Sequence, residues 1–193
     1  MLRIGLTGGI GSGKTFISGI FEHLGIPVYY SDERAKQLML NKLKPDIINL
    51  LGQESYLSNG QLNKPYIGKR IFSDPSLRES LNRLVHPAVQ DDFEQWCSMQ
   101  KSPYILKESA LLFESGLYKT LDQIILVTAP LALRIARIQQ RDNLSKNDIE
   151  ARLKSQINDE EAKKLAHHII VNDEKILILP QIISIHNKLI HYQ

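Results

Sequence analysis

Five short apolar runs punctuate the chain, and the stretches between them carry helical rather than alternating periodicity. Leu2, Ile4 and Leu6 make the first run, after which Phe16, Ile17, Ile20, Phe21 and Leu24 recur on one helix face. A turn at Gly25-Ile26-Pro27 leads into Val28-Tyr29-Tyr30, a predicted second strand. Ser31 then reads as the N-cap of a helix running toward Leu43, with Asp32 and Glu33 in its first turn. Tyr104 to Glu108 predicts a third strand, followed by Ser109 to Glu114 and a break at Gly116. Gln123 to Val127, holding Ile124, Ile125 and Leu126, is the clearest buried parallel strand, and Pro130 opens a helix through about Arg141. Two helical segments are expected between Asn143 and Ala166, the first entered at Ser145-Lys146-Asn147-Asp148. Ile169-Ile170-Val171 predicts a fifth strand, and Ile176 to Ile190 a closing helix.

From Pro45 to Met99 the pattern changes. Helices are expected at Pro45–Leu51, Pro65–Phe72, Pro75–Val85 and Pro87–Met99, with only Tyr56 to Leu62 reading as a turn between short extended pieces. Alternating β and α units around this stretch predict a parallel five-stranded sheet in a three-layer α/β/α sandwich. The expected organisation is a single domain, 1–193. Its core is about 1–44, 102–142 and 167–193, its helical insertion about 45–101, and its lid about 143–166.

Composition narrows the function. The 193 residues are 42% hydrophobic and 23% charged, as in an ordinary soluble protein. A net charge of +3 from 24 basic and 21 acidic residues is too even for a nucleic-acid or membrane partner, though it suits anionic small substrates. The single cysteine, Cys97, excludes an internal disulfide and any multi-cysteine metal site. No apolar run approaches the ~20 residues that span a bilayer. With a strand already at the N-terminus, no signal peptide is expected. A cytoplasmic monomer or weak homo-oligomer is the expected state.

The chemistry enters between the first strand and the first helix. Gly8, Gly13, Lys14 and Thr15 fill the pattern G-x-x-x-x-G-K-[ST], and strand–loop–helix is the setting that pattern requires. This makes the fold a P-loop NTPase type. Glycines let backbone N–H groups wrap a polyphosphate, and the helix adds its positive dipole end. The expected cofactor-binding run is Gly8, Gly9, Gly11, Ser12, Gly13, Lys14, Thr15 and Phe16. Lys14 would bridge the β- and γ-phosphates of ATP, and the Thr15 hydroxyl would hold Mg²⁺.

Phosphoryl transfer to a hydroxyl also needs a group to activate the acceptor and cations on the migrating phosphate. Asp32 is the best-placed carboxylate; it also reads as an acid favoured by its own helix dipole. Arg134, Arg137 and Arg141 are spaced i, i+3, i+7, so one helix face carries three guanidinium groups, either a solvated stripe or a triphosphate contact. The adjacent His167 and His168 point to opposite faces of a strand and cannot chelate one metal.

Taken together, these residues resemble the dephospho-CoA kinases. Leu6 to Thr15 resembles that family's opening loop, and Gly25-Ile26-Pro27-Val28 through Asp32, Ala35 and Lys36 is similar to its second strand and acceptor-side acid. Arg70-Ile71-Phe72 with His86-Pro87 resembles its helical substrate region, and Leu111-Leu112-Phe113-Glu114 its P-L-L-F-E segment. Arg137, Arg141-Asp142, Gln156 and Asn172 are similar to its lid and adenine-side loop. The resemblance implies ATP-dependent phosphorylation of the ribose 3′-hydroxyl of dephospho-CoA. In that reading Asp32 is the general base, Lys14 and Thr15 are phosphate and Mg²⁺ ligands, and Arg137 is the lid arginine. Arg141 and Asn172 fall on the nucleotide side, and Lys36, His86 and Leu111 beside the acceptor. Tyr30 stands where the family usually has the first Asp of D-x-D, and Phe16, Lys64, Ala110 and His167 also depart from its pattern. The rivals are another small-molecule kinase of the P-loop group and, more distantly, a GTPase switch. The latter wants Asp-x-x-Gly, which this sequence lacks.

Overall fold

The computed structural model of the chain describes residues 1–142, 149, 152, 153 and 156–192. The chain divides into two compact units, Met1–Tyr30 with Gln100–Gln193, and Ser31–Met99.

The first unit is built on β1 (Leu2–Thr7), β2 (Val28–Tyr30), β3 (Tyr104–Glu108), β4 (Gln123–Thr128) and β5 (His168–Val171). All pair in parallel, in the order β2-β3-β1-β4-β5. The pleat sends alternate side chains to opposite faces. Ile4, Leu6, Tyr104, Leu106, Ile125, Val127 and Ile170 turn to one face and meet Ile17 and Phe21 of α1 (Lys14–His23) and Ile182, Ile185 and Leu189 of α8 (Ile178–Ile190). Ile124 and Leu126 turn the other way, onto Leu112, Phe113 and Ala162, the last from α7 (Asp159–Leu165). Both faces are covered, which is why the strands read as unbroken apolar runs. At Gly5 a Cβ would lie 2.6 Å from Leu112 Cδ2, so the close approach of this layer requires glycine. α6 (Leu131–Asp142) follows β4.

The second unit is helical: α2 (Ser31–Leu40), α3 (Lys44–Leu51), α4 (Lys64–Ser73) and α5 (Pro75–Ser98). Asn63 caps α4 through Tyr66 N–H, and Asp74 caps α5 through the N–H groups of Ser76 and Leu77. Arg34 of α2 pairs with Asp92 of α5, its Nε 2.8 Å from Oδ2. The expected turn at Tyr56 to Leu62 is an antiparallel bridge between those two residues.

Four expectations change. Pro75–Val85 and Pro87–Met99 are one helix, α5, with Pro87 inside it. Proline deletes one helical N–H, but Leu81, Val85, Ala88, Val89, Phe93 and Cys97 bury a continuous stripe that carries the helix past it. Ser31 is not a side-chain cap: its buried Oγ finds no hydrogen-bond partner among the described residues. α2 ends at Leu40 and α8 begins only at Ile178. The helix start expected at 145–148 lies outside the described residues.

Two half-buried imidazoles make stability pH-dependent. His168 Nε2 lies 2.6 Å from Gln123 Oε1, and His186 Nδ1 lies 2.7 Å from Tyr104 Oη. Burial holds both below the ordinary value of 6.5, and Lys188 adds to the effect at His168. The unfolded chain therefore binds more protons just below 6.5, so this stability is complete above that value and lost as pH falls through it. The expected outcome is a lower Tm at pH 5.5 than at 7.5, with a shallower slope in His186→Gln, measured by thermal melts across that range.

Candidate active site

The loop after β1 is shaped by what its carbonyls touch. Ile10 C=O accepts Arg134 Nε–H at 3.0 Å, Gly11 C=O accepts Arg137 Nη1 at 3.4 Å, and Ser12 C=O accepts Asn172 Nδ2 at 2.8 Å. The described chain has no cis peptide, and in a trans unit the N–H points opposite to the C=O. The N–H groups of Gly11 and Gly13 are thereby turned away from the arginines and the asparagine. Ser12 N–H instead closes a turn onto Gly9 C=O at 3.0 Å.

Glycine is required here by space and by backbone. Gly11 has φ 79°, and a Cβ on it would sit 2.6 Å from Arg134 O. Gly13 has φ 97°, and its Cβ would overlap the Asn172 carboxamide. Gly9 lies against the Arg134 guanidinium, and Gly8 against Val127 C=O. Gly13 is also the N-cap of α1 and offers no side chain to its first amides.

Lys14 Nζ donates to Gly8 C=O at 2.9 Å, laying its ammonium across the loop. A cavity of about 150 Å³ is bounded by Gly11, Gly13, Lys14, Thr15, Arg137, Ile138 and Arg141. Backbone amides, a lysine, a threonine hydroxyl and two arginines thus surround one space suited to a polyphosphate. Phe16 is 62% exposed on the first turn of α1. Ser12 is buried, its Oγ without a partner among the described residues, so its backbone alone meets the loop's needs.

The three arginines of α6 are not equivalent. Arg134 is only 6% exposed and is committed to Ile10 C=O and, at 3.1 Å, to Asp159 at the start of α7. Of the two alternatives left open for this face, neither describes Arg134, which is turned under the loop. Arg137 reaches Glu174 at 2.7 Å as well as Asn172. Asn172 itself is buried, its amide beneath Ser12.

Asp159 and Glu108 were missing from the expected site, and Gln156 was expected only through its likeness to the family's lid and adenine-side loop. Gln156 Oε1 accepts Ile10 N–H at 2.7 Å while its Nε2 donates to Ala110 C=O at 3.1 Å. Asp159 anchors Arg134. Glu108 is a buried carboxylate ending β3, in register with Leu6 of β1 and Tyr30 of β2. An acid closing an apolar strand at the carboxyl edge of a parallel sheet is a signal the sequence did carry. Tyr30 Oη donates to Glu22 at 2.9 Å, and burial, then Glu22, pushes its hydroxyl up to about 12.

In the helical unit, Asp32 and Lys36 are exposed one turn apart on α2, and Asp32 follows the end of β2 by two residues. His86 is exposed on α5, one residue before Pro87. Leu111, in the first unit, is exposed on the loop after β3. No group of three or more His, Cys, Asp or Glu side chains among the described residues is arranged to hold a metal.

Comparison with known proteins gives the family. A dephospho-CoA kinase family model matches residues 2–177. The dephospho-CoA kinase of Bacteroides fragilis is 39% identical over 187 residues, covering 95% of this chain and 91% of the relative. A Thermus thermophilus crystal structure superposes with a TM-score of 0.87 at 30% identity, covering 100% of this chain and 98% of that one. The dephospho-CoA kinase from Campylobacter jejuni gives a TM-score of 0.69 at 25% identity, over 97% and 96% of the two chains. With the whole sheet, the glycine loop and nearly the full length in common, the chain belongs to the dephospho-CoA kinase family and is an ATP-dependent phosphotransferase.

Proposed function

We propose that the protein transfers the γ-phosphate of ATP to the ribose 3′-hydroxyl of dephospho-CoA, releasing ADP and CoA, in the cytoplasm. The observation that carries this reading is the orientation of the loop: its carbonyls are engaged by Arg134, Arg137 and Asn172, which leaves the amides of Gly11 and Gly13 for phosphate oxygens. The N-terminus of α1 adds its dipole beside them.

In this reading Lys14 sits between the β- and γ-phosphates, and Arg137 and Arg141 flank the migrating group, where negative charge spreads during transfer. Asp32 takes the proton of the 3′-hydroxyl as that oxygen bonds to the γ-phosphorus. The bond from the γ-phosphorus to its bridging oxygen breaks, and the bridging oxygen leaves with ADP. Lys36, His86 and Leu111 hold the acceptor. The stretch 45–101 is read as the acceptor-side insertion, and the lid expected at 143–166, whose role would be to keep competing water out, lies partly outside the described residues.

A threonine hydroxyl and a carboxylate are the hard oxygen donors Mg²⁺ prefers, so Thr15 and Glu108 fit as its protein partners. When bound, Mg²⁺ neutralises charge between the terminal phosphates.

The direct test is incubation with ATP, Mg²⁺ and dephospho-CoA. Equal amounts of ADP and CoA by mass are expected, and adenosine, AMP and pantetheine phosphate should accept poorly. Turnover of one of those acceptors with none of dephospho-CoA would overturn the reading. Asp32→Asn should lower kcat by ~10²-fold or more with ATP affinity unchanged, since it removes a proton acceptor and no phosphate contact. Lost ATP binding with intact kcat would remove Asp32 from that role. Gly13→Ala forces a side chain onto Asn172 at positive φ, and should weaken ATP binding by roughly 10-fold or more. Calorimetric titration with ATP checks it.

A further inference from the structure

Both backbone polar groups of Ile10 are held by side chains from distant elements. Its N–H donates to Gln156 Oε1 at 2.7 Å and its C=O accepts from Arg134 Nε at 3.0 Å. The two peptide units on either side of Ile10 are fixed as a result. In the Gly9–Ile10 unit, the N–H goes to Gln156 and the C=O accepts Ser12 N–H at 3.0 Å. In the Ile10–Gly11 unit, the C=O goes to Arg134, which commits Gly11 N–H to the opposite side. Reversing the first unit breaks two hydrogen bonds; reversing the second breaks the bond to a buried guanidinium.

The two clamping side chains are themselves anchored. Gln156 Nε2 donates to Ala110 C=O at 3.1 Å, and the next residue, Ile157, donates its N–H to Glu114 Oε1 at 2.7 Å. Arg134 is paired with Asp159 at 3.1 Å and packed against Gly9 and Gly11, filling the space any larger loop residue would need. Neither side chain is among the cavity-lining residues that include Lys14, Arg137 and Arg141.

We propose that Gln156 and Arg134 are positioning residues of the phosphate loop, which clamp Ile10 by its N–H and its C=O, hold Gly11 N–H in its phosphate-accepting orientation, and touch no nucleotide atom themselves. The proposal rests on the reading that this loop binds ATP. Its physical content is preorganisation: donors already aimed do not have to be reoriented when the anion arrives. Without the carboxamide, the Ile10 N–H loses its acceptor and the unit is no longer held against reversal.

Gln156→Met keeps the volume and removes both hydrogen bonds, so it is the decisive variant, with Arg134→Met as its companion. Titration calorimetry with ATP and separately with dephospho-CoA, thermal melts, and amide hydrogen exchange at Ile10 are the readouts. The expected result for Gln156→Met is an ATP Kd raised by ~10-fold, as for loss of one buried hydrogen bond, with dephospho-CoA affinity and Tm near wild type. Exchange at the Ile10 amide should quicken while β1 stays protected. A folded Gln156→Met protein with wild-type ATP affinity would overturn the proposal. So would an equal loss for both substrates together with a lower Tm, because that is the mark of a general structural role. Wild-type protein that does not bind ATP would refute the underlying reading of the loop instead, and the two failures are distinguishable.

Discussion

A trans peptide cannot turn its carbonyl and its amide to the same side, and the glycine loop after β1 is built on that constraint. Arg134, Arg137 and Asn172 each take a carbonyl of three successive residues, and the antiparallel amides of Gly11 and Gly13 follow from it. The sheet order makes this possible. β4 lies beside β1 and β5 beside β4, so the helix after β4 and the residue after β5 both emerge at the edge where the loop begins. This is the carboxyl edge, where open parallel sheets place their ligands.

The same arrangement separates the arginines of α6 by burial. Arg134 is withdrawn from water, and its charge is met by Asp159 and by a loop carbonyl, so removing either partner would strand a buried cation. Arg137 is partly exposed and its partner Glu174 more so; an ion pair in that setting has small net worth. One guanidinium belongs to the architecture, and the other borders the cavity with Arg141. Glycine at positions 9 and 11 is the counterpart of this division, because Arg134 occupies the space their side chains would fill.

Much of this was legible in the residues. All five strands fall where apolar runs place them, because both faces of the sheet are covered and apolar residues dominate each strand even where Lys107, Glu108 and Gln123 are buried among them. The phosphate loop is legible because its chemistry is local: glycines, a lysine and a threonine at fixed spacing. Other features depend on contacts far away in sequence. Spacing makes Arg134, Arg137 and Arg141 look alike, and only tertiary packing decides which one goes under the loop. Pro87 argues for a break that the buried stripe of α5 overrides. Ser31 looks like a cap, but the chain passes directly from β2 into α2 and buries the hydroxyl. Gln156 is marked only by the family resemblance, and nothing in its neighbours announces that Ile10 needs an acceptor.

β1 is the middle strand of the sheet, yet it is made first. Leu2 pairs with Tyr104 and Ile4 with Gln123, so during synthesis β1 has no neighbour until β3 is made and lacks its second until β4 follows. The helical unit from Ser31 to Met99 is contiguous and complete before then. During translation an apolar strand and its glycine loop must therefore wait, unpaired, while that whole unit is added. The loop needs α6, Gln156 and Asn172 as well, so although it precedes all of them in sequence it acquires its working shape only after Asn172 is made.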